Sequence, residues 1–234
     1  MLQTLKDLKQ KNIYRIIKAL FIIFLFLTLS DIITKIIPIN INNLSSLGKN
    51  LYILFDNLIF LAILYISYHD KIIKDLKNYY NKNFLNNFET SFKYWLIGII
   101  VMITSNILIW VFSSAGIANN EVAVRELVFK YPAYIFSVCI YAPLSEEIVF
   151  RHSFKEIFKN KYIYILASGI IFGGLHVITS ATTWQDYLHL IPYCSLGISF
   201  AALYYKTDNI FSTITMHVIH NTITLLLVFL GSGI

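Results

Sequence analysis

Charge is what this sequence has least of. Only 14% of its 234 residues are Asp, Glu, Lys or Arg and 57% are hydrophobic, whereas an average soluble protein carries about 25% charged residues. With a mean hydropathy of +0.64, the composition excludes an ordinary soluble domain and indicates a membrane protein. Cysteine is almost as scarce. Cys139 and Cys194 stand in apolar context without CxxC spacing, and they read as packing residues. Internal repeats, low-complexity tracts and any linker long enough to separate a pair of domains are missing too. The expectation is one membrane domain over 1–234, with N-terminal helices in 1–130 and a helical core in 131–234. A small-residue cleavage site is also missing behind the first hydrophobic run, which follows Lys6, Lys9, Lys11 and Arg15, so an uncleaved anchor is expected. The abundance of Ile, Asn and Lys points to an AT-rich, prokaryotic genome, hence a multi-pass protein of a prokaryotic cell membrane.

What is present is a series of long apolar runs. About 20 apolar residues are needed to span the hydrocarbon core as a helix. Seven stretches qualify: 16–37, 51–68, 95–114, 134–159, 162–178, 188–205 and 209–230. The fold class read from them is all-α, a polytopic transmembrane helix bundle of about seven spanning helices plus short interfacial helices. The mixed segments 70–92 and 120–131 are expected to be those interfacial helices, the first on the inner face and the second on the outer. Lys and Arg crowd the N-terminus (including Lys11 and Arg15), the 69–93 loop (including Lys82), the 151–161 turn and 206–208. The alternate loops hold only Lys35, Lys49, Arg125 and Lys130. The positive-inside rule then expects a cytoplasmic N-terminus and an outer C-terminus. It also accounts for the net charge of +6 without a nucleic-acid partner; the expected partner is membrane lipid.

Four polar stretches interrupt the apolar pattern. A charged side chain near the bilayer centre costs at least ~2.5–3.5 kcal/mol, so it is usually paired and functional. The stretch SEEIVFR places Glu147 and Arg151 four residues apart, a geometry for a structural ion pair on one helix face. Glu146 points about 100° away and is free to face a cavity. The stretch FGGLH ends in His176 after glycines that let a neighbouring helix approach closely. In HVIHN, His217 and Asn221 share a face one turn apart, with His220 off it; DYLHLIPY carries His189 near a span end. His189 and His220 read as structural hydrogen-bonding residues. Counted from the 160–161 turn, Glu146 and His176 lie at matching heights of about 20 Å, and His217 about 12 Å beyond Asn209. That geometry expects a submerged site nearer the inner face.

These stretches resemble the CAAX-protease and bacteriocin-processing family (CPBP, also called Abi), intramembrane proteases related to the CAAX prenyl endopeptidases. The pattern EExxxR, FxxxH, HxxxN stands here, in order and on separate helices, as Glu146-Glu147…Arg151, Phe172…His176 and His217…Asn221. It covers roughly the C-terminal half. The resemblance implies an intramembrane endopeptidase in which Glu146 and His176 activate water, His217 and Asn221 steady the oxyanion, and Glu147 and Arg151 support the first motif helix. Acid–base chemistry at a submerged carboxylate and donors aimed at an oxyanion suit amide hydrolysis. An alternative reading makes Glu146, His176 and His217 ligands of zinc, a known catalytic set; the metal-free reading requires no cofactor. There is no HExxH and no GxGD, and SSAG at 113–116 only echoes a rhomboid serine motif. Two further functions remain open: a bacteriocin self-immunity or regulatory membrane protein acting by binding, and a proton-coupled transporter using Glu146 and His176 as a relay.

Overall fold

The computed structural model describes residues 2–37, 39–81, 83–113 and 115–231, with side chains from Gln10 onward. Lys82, Ser114 and the side chains of Lys6 and Lys9, all used in the sequence reading, lie outside the described residues. Among the described residues every regular element is helical. In chain order they are α1 Leu2–Ile36, α2 Ser46–Tyr79, α3 Phe84–Phe112 and the short α4 Asn119–Lys130. Then come α5 Ala133–Ile157, α6 Lys161–Ile178, α7 Leu190–Thr207 behind a 3-10 turn at Trp184–His189, and α8 Ile210–Gly231. All but α4 are long and apolar enough to cross a membrane, which makes seven such helices among the described residues. Their outward side chains are what lipid dictates: Ile66, Trp110, Phe112 and Leu230 are each about four-fifths exposed.

The segment 70–92, expected as an interfacial helix, is helical in two pieces: α2 runs past a kink to Tyr79 and α3 begins at Phe84. Tertiary contacts hold both pieces. Helix α2 bends at Tyr68 (φ −130°, ψ 18°), where Lys18 of α1 donates to the Ser67 carbonyl at 2.9 Å and Tyr68 pairs with Ser153 at 2.9 Å. Asn87 of α3 donates to the Tyr79 carbonyl at 2.9 Å, satisfying a helix-end acceptor. Asp75 is buried and accepts from the Ile210 amide at 2.9 Å, so α2 caps the start of α8. The second expected segment, 120–131, is helical as α4.

The closest packing joins α6 to α7. A Cβ on Gly173 would stand 2.6 Å from the Cys194 backbone nitrogen, and one on Gly197 would stand 2.6 Å from the Gly169 carbonyl oxygen. Backbones this close leave no room for a side chain, as the glycines of FGGLH suggest for Gly173; Gly174 meets only Ile178 of its own helix. An aromatic core gathers Phe60 of α2, Phe150 and Phe154 of α5, Phe172 of α6 and Tyr204 of α7, all buried together. Near the α7–α8 turn, Asp208 adopts φ 49° and meets Lys155 at 2.8 Å and Lys71 at 3.3 Å. Burial pushes its carboxyl up, but the two lysines outweigh this and hold it below the ordinary value.

Substituting Gly173→Ala forces α6 and α7 apart. Overpacking of this kind costs roughly 1–3 kcal/mol, so its unfolding temperature in detergent is expected to fall well below that of Gly231→Ala, whose new methyl meets nothing within 4 Å.

Candidate active site

Helix α5 is not a uniform α-helix. Two π-helical stretches, Ser137–Tyr141 and Ile148–Ser153, flank a short α-helical piece at Ala142–Glu147. Such wide turns change which side chains share a face and often mark functional positions. Glu147 and Arg151 face inward and are fully buried. Arg151 donates through Nε to Glu147 Oε2 at 2.9 Å and through a second nitrogen to Oε1 at 3.3 Å, a two-point pair. Its remaining nitrogen donates to Ser168 Oγ at 2.8 Å, and the guanidinium lies 4.8 Å from the Phe172 ring centre. The expected ion pair is therefore present, tied to α6. It also has a third member. Nδ1 of His217 on α8 is 2.9 Å from Glu147 Oε1, so one buried carboxylate joins α5 to α8.

The other predicted residues line a single cavity of about 800 Å³ with His217: Glu146 from α5, His176 from α6 and Asn221 from α8. Glu146 Oε2 stands 3.8 Å from His217 Nε2, beyond direct hydrogen-bond reach. His176 Nδ1 is 2.9 Å from the Phe172 carbonyl, which can only accept, so this nitrogen carries the proton. Its ring stacks on Tyr193 with centres 5.1 Å apart. In both histidines Nδ1 is committed to an oxygen acceptor, and that hydrogen bond sets the role of the opposite nitrogen. Asn221 Nδ2 donates to the Val138 carbonyl at 2.9 Å.

The zinc set fits less well. Among the described residues no three His, Cys, Asp or Glu side chains stand close enough to hold an ion. Glu146 approaches His217, but His176 does not complete a cluster with them.

Sequence reasoning missed some of the lining. His189 and His220, read as structural, both face the cavity, and His189 also meets the Gly116 carbonyl at 3.2 Å. Asn120, Glu121 and Arg125 of α4 close it from one end. Their signal was the Glu121–Arg125 pair one turn apart, which the structure forms. Asn119 fastens α4 to the α6–α7 connection by donating to the Ser180 carbonyl at 3.0 Å and Asp186 at 3.2 Å. From Glu146 the cavity extends toward residues 116–121, away from the end of the bundle where Lys71, Lys155 and Asp208 meet.

The bundle of apolar helices thus gathers a carboxylate, two imidazoles and a carboxamide around one cavity. Comparison with known proteins agrees with the motif resemblance. Residues 128–223, less than half of the chain but containing all three motifs, match the family model described as type II CAAX prenyl endopeptidase Rce1-like. The chain is 30% identical over 131 residues to YdiL of Bacillus subtilis (strain 168), provisionally described as a membrane peptidase, covering 53% of this chain and 49% of that protein. It is 27% identical to the membrane-embedded CAAX protease MroQ of Staphylococcus aureus (strain USA300), covering 54% and 51%. It is 26% identical to the UPF0177 protein YxdF of Lactococcus lactis subsp. lactis (strain IL1403), covering 59% and 78%. The chain thus spans about half the length of the two peptidase relatives. No solved structure matches it.

Removing one member of a buried charge pair leaves the other uncompensated, at a cost of roughly 3–5 kcal/mol. Arg151→Leu is therefore expected to lower the unfolding temperature strongly. Glu147→Leu/Arg151→Leu should recover much of that stability while leaving His217 without its Nδ1 partner. Thermal unfolding in detergent measures both.

Proposed function

We propose that the chain is an intramembrane endopeptidase that cleaves peptide or membrane-protein substrates by water attack, without an acyl-enzyme. Glu146, assisted by His176, takes a proton from the water as its oxygen attacks the peptide carbonyl carbon. His217 and Asn221 donate to the developing oxyanion. When the C–N bond breaks, the proton held by Glu146 passes to the leaving amine, and two shorter peptides leave. The observation that carries this reading is the convergence of Glu146, His176, His217 and Asn221, from three helices, on one cavity.

The hydrogen bonds around the site support these roles. With Nδ1 of His176 donating to Phe172, its Nε2 is left as a lone-pair nitrogen, suited to polarising water. His217 donates to Glu147 through Nδ1, so it serves an oxyanion through Nε2 only when both ring nitrogens are protonated. In that state Glu146, Glu147, Arg151 and His217 sum to zero charge, a balance a low-dielectric interior favours. Oxyanion donors of this kind are worth about 3–4 kcal/mol each.

Peptide cleavage in reconstituted vesicles tests the roles. Glu146→Gln and His176→Ala are expected to lower kcat by about 10²–10⁴-fold, the usual share of acid–base catalysis, and Asn221→Ala by about 10²–10³-fold. Full cleavage by Glu146→Gln would remove the hydrolytic reading in favour of a binding protein.

On this reading the lysine distribution supports a cytoplasmic N-terminus, so the cavity end at 116–121 faces outward. Substrates then reach the site from that side or laterally from lipid, not from the cytoplasm. With Cys139 and Cys194 replaced by alanine, Ile117→Cys is expected to react with an impermeant maleimide on intact cells, and Lys155→Cys only after the membrane is broken. The reverse labelling would invert the orientation.

A further inference from the structure

The hydrogen bond that holds Asn221 has an uncommon origin. At the end of the π-helical stretch Ser137–Tyr141 the helix register widens: the Ser137 amide still donates four residues back, to the Ala133 carbonyl, whereas the Ala142 amide donates five residues back, to the Ser137 carbonyl. The next acceptor in this register is the Val138 carbonyl, and the amide five residues ahead of it belongs to Pro143, which has no N–H. The amide four residues ahead, its partner in an α-helix, is that of Ala142, already directed to Ser137. Val138 therefore presents a carbonyl at the cavity wall that its own helix does not satisfy, and Asn221 Nδ2 fills it at 2.9 Å.

We infer that Pro143 is a positioning residue for Asn221: by withholding the amide that would close the wide turn, it keeps the Val138 carbonyl free to anchor the Asn221 side chain. A carboxamide is planar and its nitrogen carries two hydrogens. Fixing one N–H on Val138 therefore fixes the direction of the other, which is the donor left for a reacting carbonyl. Pro143 is itself buried three residues before Glu146 on the same helix, so one backbone irregularity sets the carboxylate and the carboxamide in one frame. The anchor itself stands on the helix geometry alone; its catalytic consequence rests on the oxyanion role proposed for Asn221.

Anchor and consequence are tested by comparing the native protein with Pro143→Ala, Asn221→Ala and the double variant, reading thermal unfolding in detergent and peptide cleavage in vesicles. Asn221→Ala orphans the Val138 carbonyl, and the amide introduced by Pro143→Ala can satisfy it. Pro143→Ala is therefore expected to raise the unfolding temperature in the Asn221→Ala background but not in the native one. In cleavage, Pro143→Ala should lower kcat about tenfold with KM nearly unchanged, roughly the worth of one hydrogen bond, and have no further effect once Asn221 is alanine. Equal shifts of unfolding temperature in both backgrounds would overturn the anchor. Intact cleavage by Asn221→Ala, with the stability coupling present, would uphold the anchor and remove the catalytic role of Asn221 instead. If Pro143→Ala does not fold, ¹⁵N-asparagine labelling of the native protein reads the bond directly. One carboxamide proton of Asn221 should resist exchange into D₂O while its twin exchanges freely, and two protons exchanging alike would count against the anchor.

Discussion

Glu147 is the group on which the rest of the site depends. A lone carboxylate inside a membrane bundle is so costly that it would protonate or drag the helix toward water. Here its two oxygens are shared between Arg151 on the same helix and His217 on α8, while Arg151 reaches across to Ser168 on α6. The charges thereby lock three helices at one depth, and they do so only when each partner is in place. Stability and site geometry come from the same contacts, because the cost of unpairing any member is what enforces the arrangement.

Around that hub the fold supplies rigidity on one side and space on the other. The glycine seam draws α6 against α7, which brings Tyr193 beneath His176 and fixes that ring by stacking. The start of α8 is capped from α2 by Asp75, so the helix carrying His217 and Asn221 is held independently of the motif helices. Helix α3 packs against α7, where Ser195 donates to the Gly98 carbonyl at 3.3 Å, and residues of α3 and α4 wall the cavity together with the motif helices. A floor of buried charges beside a cavity suits the proposed hydrolysis: side chains held in place, and room for water and a peptide.

Much of this was legible in the chain because lipid makes polar residues conspicuous. An apolar solvent tolerates Glu, Arg, His and Asn only where they are used, so Glu146, Glu147, Arg151, His176, His217 and Asn221 stood out without any coordinates. Contacts within one helix were equally readable, since four-residue spacing alone puts Glu147 beside Arg151. Less was legible at residues 70–92, where polarity suggested an interface but no partners. There Asp75 and Lys71 meet Ile210 and Asp208, far along the chain, and no local pattern announces partners at that distance.

The amino-acid sequence by itself determined the seven apolar spans, the Glu147–Arg151 pair and the identity of the polar side chains at the site, because each follows from helix periodicity and the cost of polarity in lipid. Only the tertiary structure decided that Glu147 also binds His217, 70 residues away, that Asn221 hangs from the Val138 carbonyl, 83 residues away, and that α4 closes one end of the cavity. Those outcomes turn on how helices rotate and lean against one another, and two π-helical turns in α5 reset that rotation where a regular 3.6-residue period would have pointed the side chains elsewhere.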